Sequence, residues 1–214
     1  MRSFSGKRRG LLCFAPFFLI GGFYFVTQFF PLTYHAVHLP LDDAIPFLPV
    51  FVIPYILWYP YVPVPMVYSF FKDQRLLRRQ ALALFPGMAA SILFFLLYPT
   101  RIDFRPAAQG ASVFRALCRL IYRLDRPVNV LPSLHCYEAL SIHLSTFRSH
   151  FGRKHPALRA ASAVLALLIC LSTVFIKQHS VLDLIAGCAL AIASYALMKI
   201  LEKRRESHAA GQTV

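Results

Sequence analysis

KQHSVLDLIAGCALAIASYALMKIL, residues Lys177–Leu201, is the stretch on which the fold is decided. From Val181 onward it is an apolar run of roughly the 20 residues that a bilayer core demands of a helix. Its mouth carries Lys177, His179 and Asp183. On a shared helix the i, i+4 spacing would set His179 and Asp183 on one face, about 6 Å apart at Cβ. An imidazole backed by a carboxylate has its tautomer fixed and its basicity raised, so one ring nitrogen can serve as base or nucleophile. Titratable groups at the edge of an apolar span are costly and mark function by default. The competing structural reading is a capping Asp with a His in the entrance loop.

The rest of the chain supports a membrane reading. It has 214 residues, 57% of them hydrophobic and 15% charged, and a mean hydropathy of +0.56. A soluble domain carries about 25% charge. Twenty phenylalanines and 15 prolines are scattered through apolar runs, where membrane helices packed on neighbours tolerate them. The net charge of +14 could suggest nucleic acid. The basic residues instead lie in short clusters between apolar runs, which is the topology signal of membrane proteins, so no nucleic-acid partner is expected. Cys13, Cys118, Cys136, Cys170 and Cys188 stand singly, without a CxxC pair. They fit small buried hydrophobes better than structural zinc or a disulfide framework.

An all-α bundle of six spans is predicted: Leu11–Phe30, Val50–Phe71, Ala81–Tyr98, Pro132–Phe147, Leu158–Ile176 and Val181–Leu201. The basic start at Lys7, Arg8 and Arg9 runs into apolar sequence without a small-residue cleavage site, so the first span is expected to stay uncleaved. The second contains Pro54, Pro60, Pro63 and Pro65 and should kink or partly unwind. The fourth is short and polar, with Glu138, Ser141 and His143, and should lie inside the bundle. Lys and Arg cluster at the N-terminus, at Lys72–Arg79, at Arg148–Arg159 and at Lys203–Arg205, whereas Pro31–Pro49 has none. The positive-inside rule then places both termini in the cytoplasm and makes this a single multi-pass domain.

One external loop, Thr100 to Leu131, breaks that rule with six arginines. Arg115, Arg119 and Arg123 recur every fourth residue opposite Val113, Phe114, Leu117, Leu120 and Ile121. This pattern predicts an amphipathic helix on the outer surface of the bilayer. Arg101 and Arg105 differ, because they follow the third span directly and share a level with His179.

External segments therefore hold three polar clusters: YPTRIDFRP (Tyr98–Pro106), NVLPSLH (Asn129–His135) and KQHSVLD (Lys177–Asp183). Pro132 suits a first helical position, leaving the amides after it free to point at an anion. Arg105 can hold a phosphate bidentately, as a Lys would not. Two histidines, a carboxylate, fixed cations and Ser133 at a helix start are what phosphoryl transfer requires. No carboxylate cluster for magnesium is present, so a metal-independent reaction without cofactor is expected.

RP, PSxH and HxxxD, in that order at the luminal ends of successive spans, resemble the type 2 phosphatidic acid phosphatase superfamily over about Tyr98 to Gly187. The resemblance implies a six-span bundle and a phosphohistidine mechanism on a lipid phosphate at the extracytoplasmic face. It implies His179 as nucleophile, Asp183 as its orienting partner and His135 as the acid for the leaving alkoxide, with Arg105 and Ser133 gripping the phosphate. Two positions depart from the pattern. The Lys seven residues before the Arg of RP is Tyr98 here, and the Ser-Arg pair ahead of the His is Ser172 and Thr173. Arg101 and Lys177 are the expected replacements, with Arg126 in reserve. PSLH with a Lys near HxxxD also resembles the inositol phosphorylceramide synthase and sphingomyelin synthase branch, whose members transfer a headgroup phosphate to a lipid hydroxyl. Three functions follow: a lipid phosphate phosphatase, a lipid phosphotransferase, and a lipid-binding or transport protein with a dead site.

Other polar residues have simpler readings. His143 is expected to be a hydrogen-bonded core histidine, Glu138 a buried acid in need of a partner, and His35 and His38 parts of an exposed loop. Asn129 fits either a turn or a ligand contact.

Overall fold

The computed structural model describes residues 14, 16, 19–30 and 33–211, the side chains of residues 206 and 208–211 excepted. Helix α1 covers residues 19–27, so the start of the predicted span Leu11–Phe30 lies in part outside the described residues. A two-residue strand β1 (His35–Ala36), a short helix α2 (Pro40–Ala44) and a 3-10 turn (Pro49–Phe51) follow. Then come α3 (Val52–Tyr61), α4 (Pro63–Lys72), α5 (Gln74–Leu97), β2 (Thr100–Arg101) and α6 (Val113–Leu124). The chain continues through α7 (Leu134–Ile142), a π-helical turn (His143–Phe147), α8 (His150–Lys154), α9 (Pro156–Phe175) and α10 (Val181–Gly211).

Four segments among the described residues are long and apolar enough to cross a membrane: Pro49–Lys72, Gln74–Leu97, Pro156–Phe175 and Val181–Arg205. The first divides into α3 and α4 at Val62, where Pro60 and Pro63 remove donors from the ladder. The segment expected as a fourth span is different. Helix α7 has nine residues and ends in a five-residue π turn, about 21 Å of helix, which is less than the roughly 30 Å of a hydrocarbon core. All but one of its residues are buried, because α5, α9 and α10 pack around it. A polar helix such as this is tolerated only when protein covers its groups.

Specific contacts fix α7 in place. The Tyr137 hydroxyl lies 2.7 Å from the carbonyls of Ala83 and Leu84 and accepts the Gly87 amide at 3.1 Å. A Cβ at Gly87 would stand 2.3 Å from that ring. On the other side the Ser133 amide donates to the Asp183 carbonyl at 3.0 Å. A Cβ at Gly187 would meet the Ser133 carbonyl oxygen at 2.4 Å, a backbone atom that has no rotamer by which to yield. We expect Gly187→Ala to cost about 1–3 kcal/mol by overpacking and to push α7 away from α10, with at least a tenfold loss of activity. Gly22→Ala, with nothing within 4 Å, is the control. Equal activity of the two variants would show that the crossing does not position the site.

At the end of the bundle where α5 stops and α10 begins, three loops are sewn together. β1 pairs with β2 in parallel. Thr100 Oγ1 accepts the amides of Val130 and Leu131, both at 3.1 Å, and Thr100 O accepts Asn129 N at 2.6 Å. The amphipathic pattern of α6 is realised, with part of its apolar face packed on protein and Val113 and Leu120 left exposed. Cys118 and Ile121 pack on Val52 and Tyr55 of α3. Arg115 and Arg119 donate to carbonyls of the preceding loop, at Gln109, Ala108 and Gly110.

Candidate active site

His179 does not share a helix with Asp183, as the i, i+4 argument assumed; it sits one residue before the N-cap of α10. Ser180 occupies the cap, its Oγ accepting Leu182 N at 3.2 Å, and Asp183 Oδ2 accepts Ser180 N at 2.9 Å. This is the reciprocal capping box of a helix start. The same Oδ2 lies 3.3 Å from His179 Nδ1. One carboxylate therefore does both jobs that the sequence offered as alternatives. Asp183 is fully buried and its Oδ1 has no partner.

The loop is held from both sides. Thr173 O accepts the amides of Gln178 at 2.8 Å and His179 at 3.0 Å, so one of the two residues in place of the family's Ser-Arg contributes a backbone anchor. From α2, Asp42 Oδ1 accepts Val181 N at 2.8 Å, while Oδ2 accepts Ser180 Oγ at 2.7 Å and Leu39 N at 2.8 Å. Two carboxylates thus take the amides of Ser180 and Val181 and face the positive end of α10.

His135 occupies the first turn of α7, behind the Ser133 cap. Its ring centroid is 5.7 Å from that of His179, at 62°. Tyr55 and Trp58 flank it at 4.4 and 4.3 Å. Each histidine is 6% exposed. Both line a cavity of about 60 Å³ shared with Tyr59, Met88, Asn129 and Glu138. One water needs about 10–15 Å³ on this scale, so the cavity holds a few waters and not a whole lipid.

The other predicted residues lie around this cavity and outside its lining. Arg105 is largely buried: Nη1 donates to Asp125 O at 3.1 Å and the guanidinium stacks 4.5 Å over Tyr122. Burial pulls its pKa down and nearby Asp125 opposes that pull. Its Nε is buried without a partner among the described residues, which leaves that N–H free to donate. Ser133 is fully buried, and its Oγ accepts Cys136 N at 3.4 Å. Arg101 is exposed in β2. Arg126 is also exposed, donating to Gln28 O at 2.9 Å.

Lys177, expected as a phosphate-holding cation, does not line the cavity of the two histidines. With a φ of 54° it turns its ammonium onto the carbonyls of Asp42 and Ile45, 5.7 Å over the Phe104 ring. Burial lowers its pKa, and Asp42 and Asp43 work against that shift. The lysine thereby pins the α2 loop over the start of α10. We expect Lys177→Met to leave buried carbonyls unpaired at about 1–3 kcal/mol and to lower Tm by roughly 2–10 °C. Affinity for a phosphate inhibitor should stay within threefold. A 100-fold loss of that affinity at unchanged Tm would return Lys177 to the phosphate grip.

The structure also adds residues that the sequence did not single out. Asp125 at the end of α6 is the hub of the cavity wall. Its Oδ1 accepts Tyr24 OH at 3.1 Å and Gln28 Nε2 at 3.4 Å, and its Oδ2 accepts Tyr55 OH at 2.9 Å and Gln178 Nε2 at 3.3 Å. Arg123 and Arg126 lie within two residues of it, and the local pattern pointed to a basic surface, so no local signal marked it. Asn129 is a turn residue with φ 55° that lines the cavity, its Oδ1 without a partner among the described residues. Glu138 lines the cavity with Oε2 unpartnered. His143 is half-buried, with Nδ1 3.0 Å from Ser162 Oγ. His38 bridges Asp43 at 2.9 Å and Asp103 at 3.4 Å, and the Asp43 hydrogen bond raises its pKa. Among the described residues no three His, Cys, Asp or Glu side chains converge as a metal site.

Comparison with known families agrees with this arrangement. The family model described as the PAP2 superfamily matches residues 31–197, a range that includes RP, PSLH and HSVLD. No curated protein and no solved structure matches the chain. Members of the family are generally phosphatases or phosphotransferases. The match takes in well over half of the sequence, and the chain belongs to the PAP2 superfamily.

Proposed function

We propose that this protein is a membrane lipid phosphate phosphatase that works through a phosphohistidine on His179. The observation that carries the reading is the Nδ1 contact of His179 with Asp183 at 3.3 Å, with the His135 ring 5.7 Å away across a small cavity. Asp183 accepts the Nδ1 hydrogen, which leaves the lone pair on Nε2. Nε2 attacks phosphorus and the P–O bond to the lipid alkoxide breaks, with His135 supplying the proton to the departing oxygen. His135 then takes a proton from water as that oxygen attacks phosphorus, the P–N bond breaks, and inorganic phosphate leaves. Arg105, through its free Nε–H, and the first turn of α7 behind Ser133 would hold the non-bridging oxygens.

Transfer to a lipid hydroxyl is the second reading. It is favoured by the burial of both histidines, at 6% exposure each, in a cavity walled by Trp58, Tyr59, Met88 and Leu134. Apolar walls solvate water less well than they solvate the alkyl part of an alcohol reaching in from the bilayer. Product analysis from phosphatidic acid separates the two. Inorganic phosphate and diacylglycerol are expected whether or not a second hydroxyl-bearing lipid is added. Turnover that requires that lipid, with no free phosphate, establishes transfer. No product in any mixture leaves a lipid-binding protein with a dead site.

For topology we propose six passes of the chain, with both termini cytoplasmic and the histidines facing the other side. Helix α1 is one pass, and α7 with its π turn and flanking segments is another, a short pass covered by protein instead of lipid. A cysteine in place of the half-exposed Asp103 should react with an impermeant thiol reagent added outside. One in place of the exposed Gln74 should react only after the membrane is opened. The reverse pattern would put the site in the cytoplasm.

A further inference from the structure

The far end of the bundle carries a second concave site. Helix α5 runs from Gln74 to Leu97, about 36 Å at 1.5 Å per residue, so its start lies a membrane thickness from the histidines. There the start of α5, α8 with its preceding turn, and the last third of α10 enclose a cleft of about 730 Å³. That volume falls within the range of small-molecule sites, about 300–1,000 Å³. Its lining holds Arg75, Arg79, Arg148, Arg153, Lys199 and Lys203 against two carboxylates, Asp73 and Glu202. Both carboxylates have work already. Asp73 caps α5, accepting Leu76 N at 2.9 Å. Glu202 takes Arg79 Nη1 at 2.8 and 3.0 Å, and this half-buried pair forms part of the wall.

The positive-inside rule explains basic residues at this end of the spans, but it needs only their number on one side. It does not bring residues from three segments, 73–79, 148–153 and 199–203, onto one hollow. Lys72, Arg78 and Arg205 satisfy the rule from outside the cleft lining. We propose that the cleft is a binding site for a multiply charged phosphate anion, the chemistry of a phosphorylated lipid headgroup or of a free phosphorylated polyol. The forked guanidiniums of Arg148, in the turn before α8, and Arg153, within it, suit phosphate oxygens. Ile200, half-exposed in the lining, gives an apolar edge along which an acyl chain can leave the hollow. Basic pockets between helices at this level hold anionic headgroups.

The test uses the full chain in detergent, in the His179→Asn background so that no probe is turned over. Binding of short-chain phosphatidylinositol 4,5-bisphosphate and of free inositol 1,4,5-trisphosphate is measured by calorimetry at fixed salt. Arg148→Gln with Arg153→Gln should weaken the tighter-bound probe at least tenfold. Lys72→Gln with Arg78→Gln, which removes the same charge outside the cleft, should weaken it less than threefold. Lys203→Gln alone should give a smaller loss, twofold to fivefold, and all these positions are exposed, so folding is spared. Binding of the lipid alone identifies a headgroup site, and equal binding of both probes identifies free phosphate chemistry. Equal losses in the two double variants would reduce the effect to general charge attraction and overturn the site. So would binding of neither probe, or binding that all variants retain.

Discussion

His179→Asn should lose lipid phosphate turnover by on the order of 10³-fold or more and form no phosphoenzyme. The nucleophile has no substitute nearby. His135 is the other imidazole in the cavity, and it stands on α7 without an aspartate behind it, whereas Asp183 Oδ2 faces His179 Nδ1 at 3.3 Å. Losing a nucleophile removes the covalent route altogether, which is why such substitutions cost several powers of ten. The Asn side chain is smaller than imidazole and can still donate to Asp183, so the capping box at Ser180 should survive and Tm should change little. Turnover at parent level in this variant would sink the mechanism.

His135→Ala should split by leaving group. A lipid alkoxide is a poor leaving group and needs its proton in the transition state, so turnover should fall by roughly 10²–10⁴. An aryl phosphate leaves without that help. With it, His179 should still be phosphorylated, while hydrolysis of the P–N bond is slowed for want of a base. The expected trace is a burst of one phenolate per protein followed by a slow steady state. Equal losses on both substrates, without a burst, would make His135 a positioning residue packed between Tyr55 and Trp58.

The parts of this arrangement that were legible in the sequence are local ones. Apolar length marked α5, α9 and α10, and the prolines at 60 and 63 marked the break between α3 and α4. The spacing of His179 and Asp183 gave their contact correctly although its stated reason, a shared helix, was wrong. Asp183 points back over the helix start because it caps Ser180, and that brings it to a residue just outside the helix. Periodicity in α6 showed that one face needed cover. It did not say by what, and the cover is Val52 and Tyr55, more than 60 residues earlier. The misplaced cation has the same origin. Lys177 is held by carbonyls of Asp42 and Ile45, and Asp42 caps α10 from about 140 positions away. Contacts of that sequence separation leave no periodic or motif trace. Asp125 was hidden twice, by the nearby Arg123 and Arg126 and because its four donors come from α1, Gln28 just after α1, α3 and the loop before α10.

Trapping the covalent intermediate tests the central claim most directly. His135→Ala protein is mixed with an aryl phosphate, quenched in alkali to preserve the acid-labile P–N bond, digested and mapped by mass spectrometry. A mass gain of one phosphoryl group on the peptide containing His179, absent from the His135→Ala/His179→Asn double variant, is the predicted result. Release of phenolate with no phosphopeptide, or a phosphoryl group on any other residue, would contradict it.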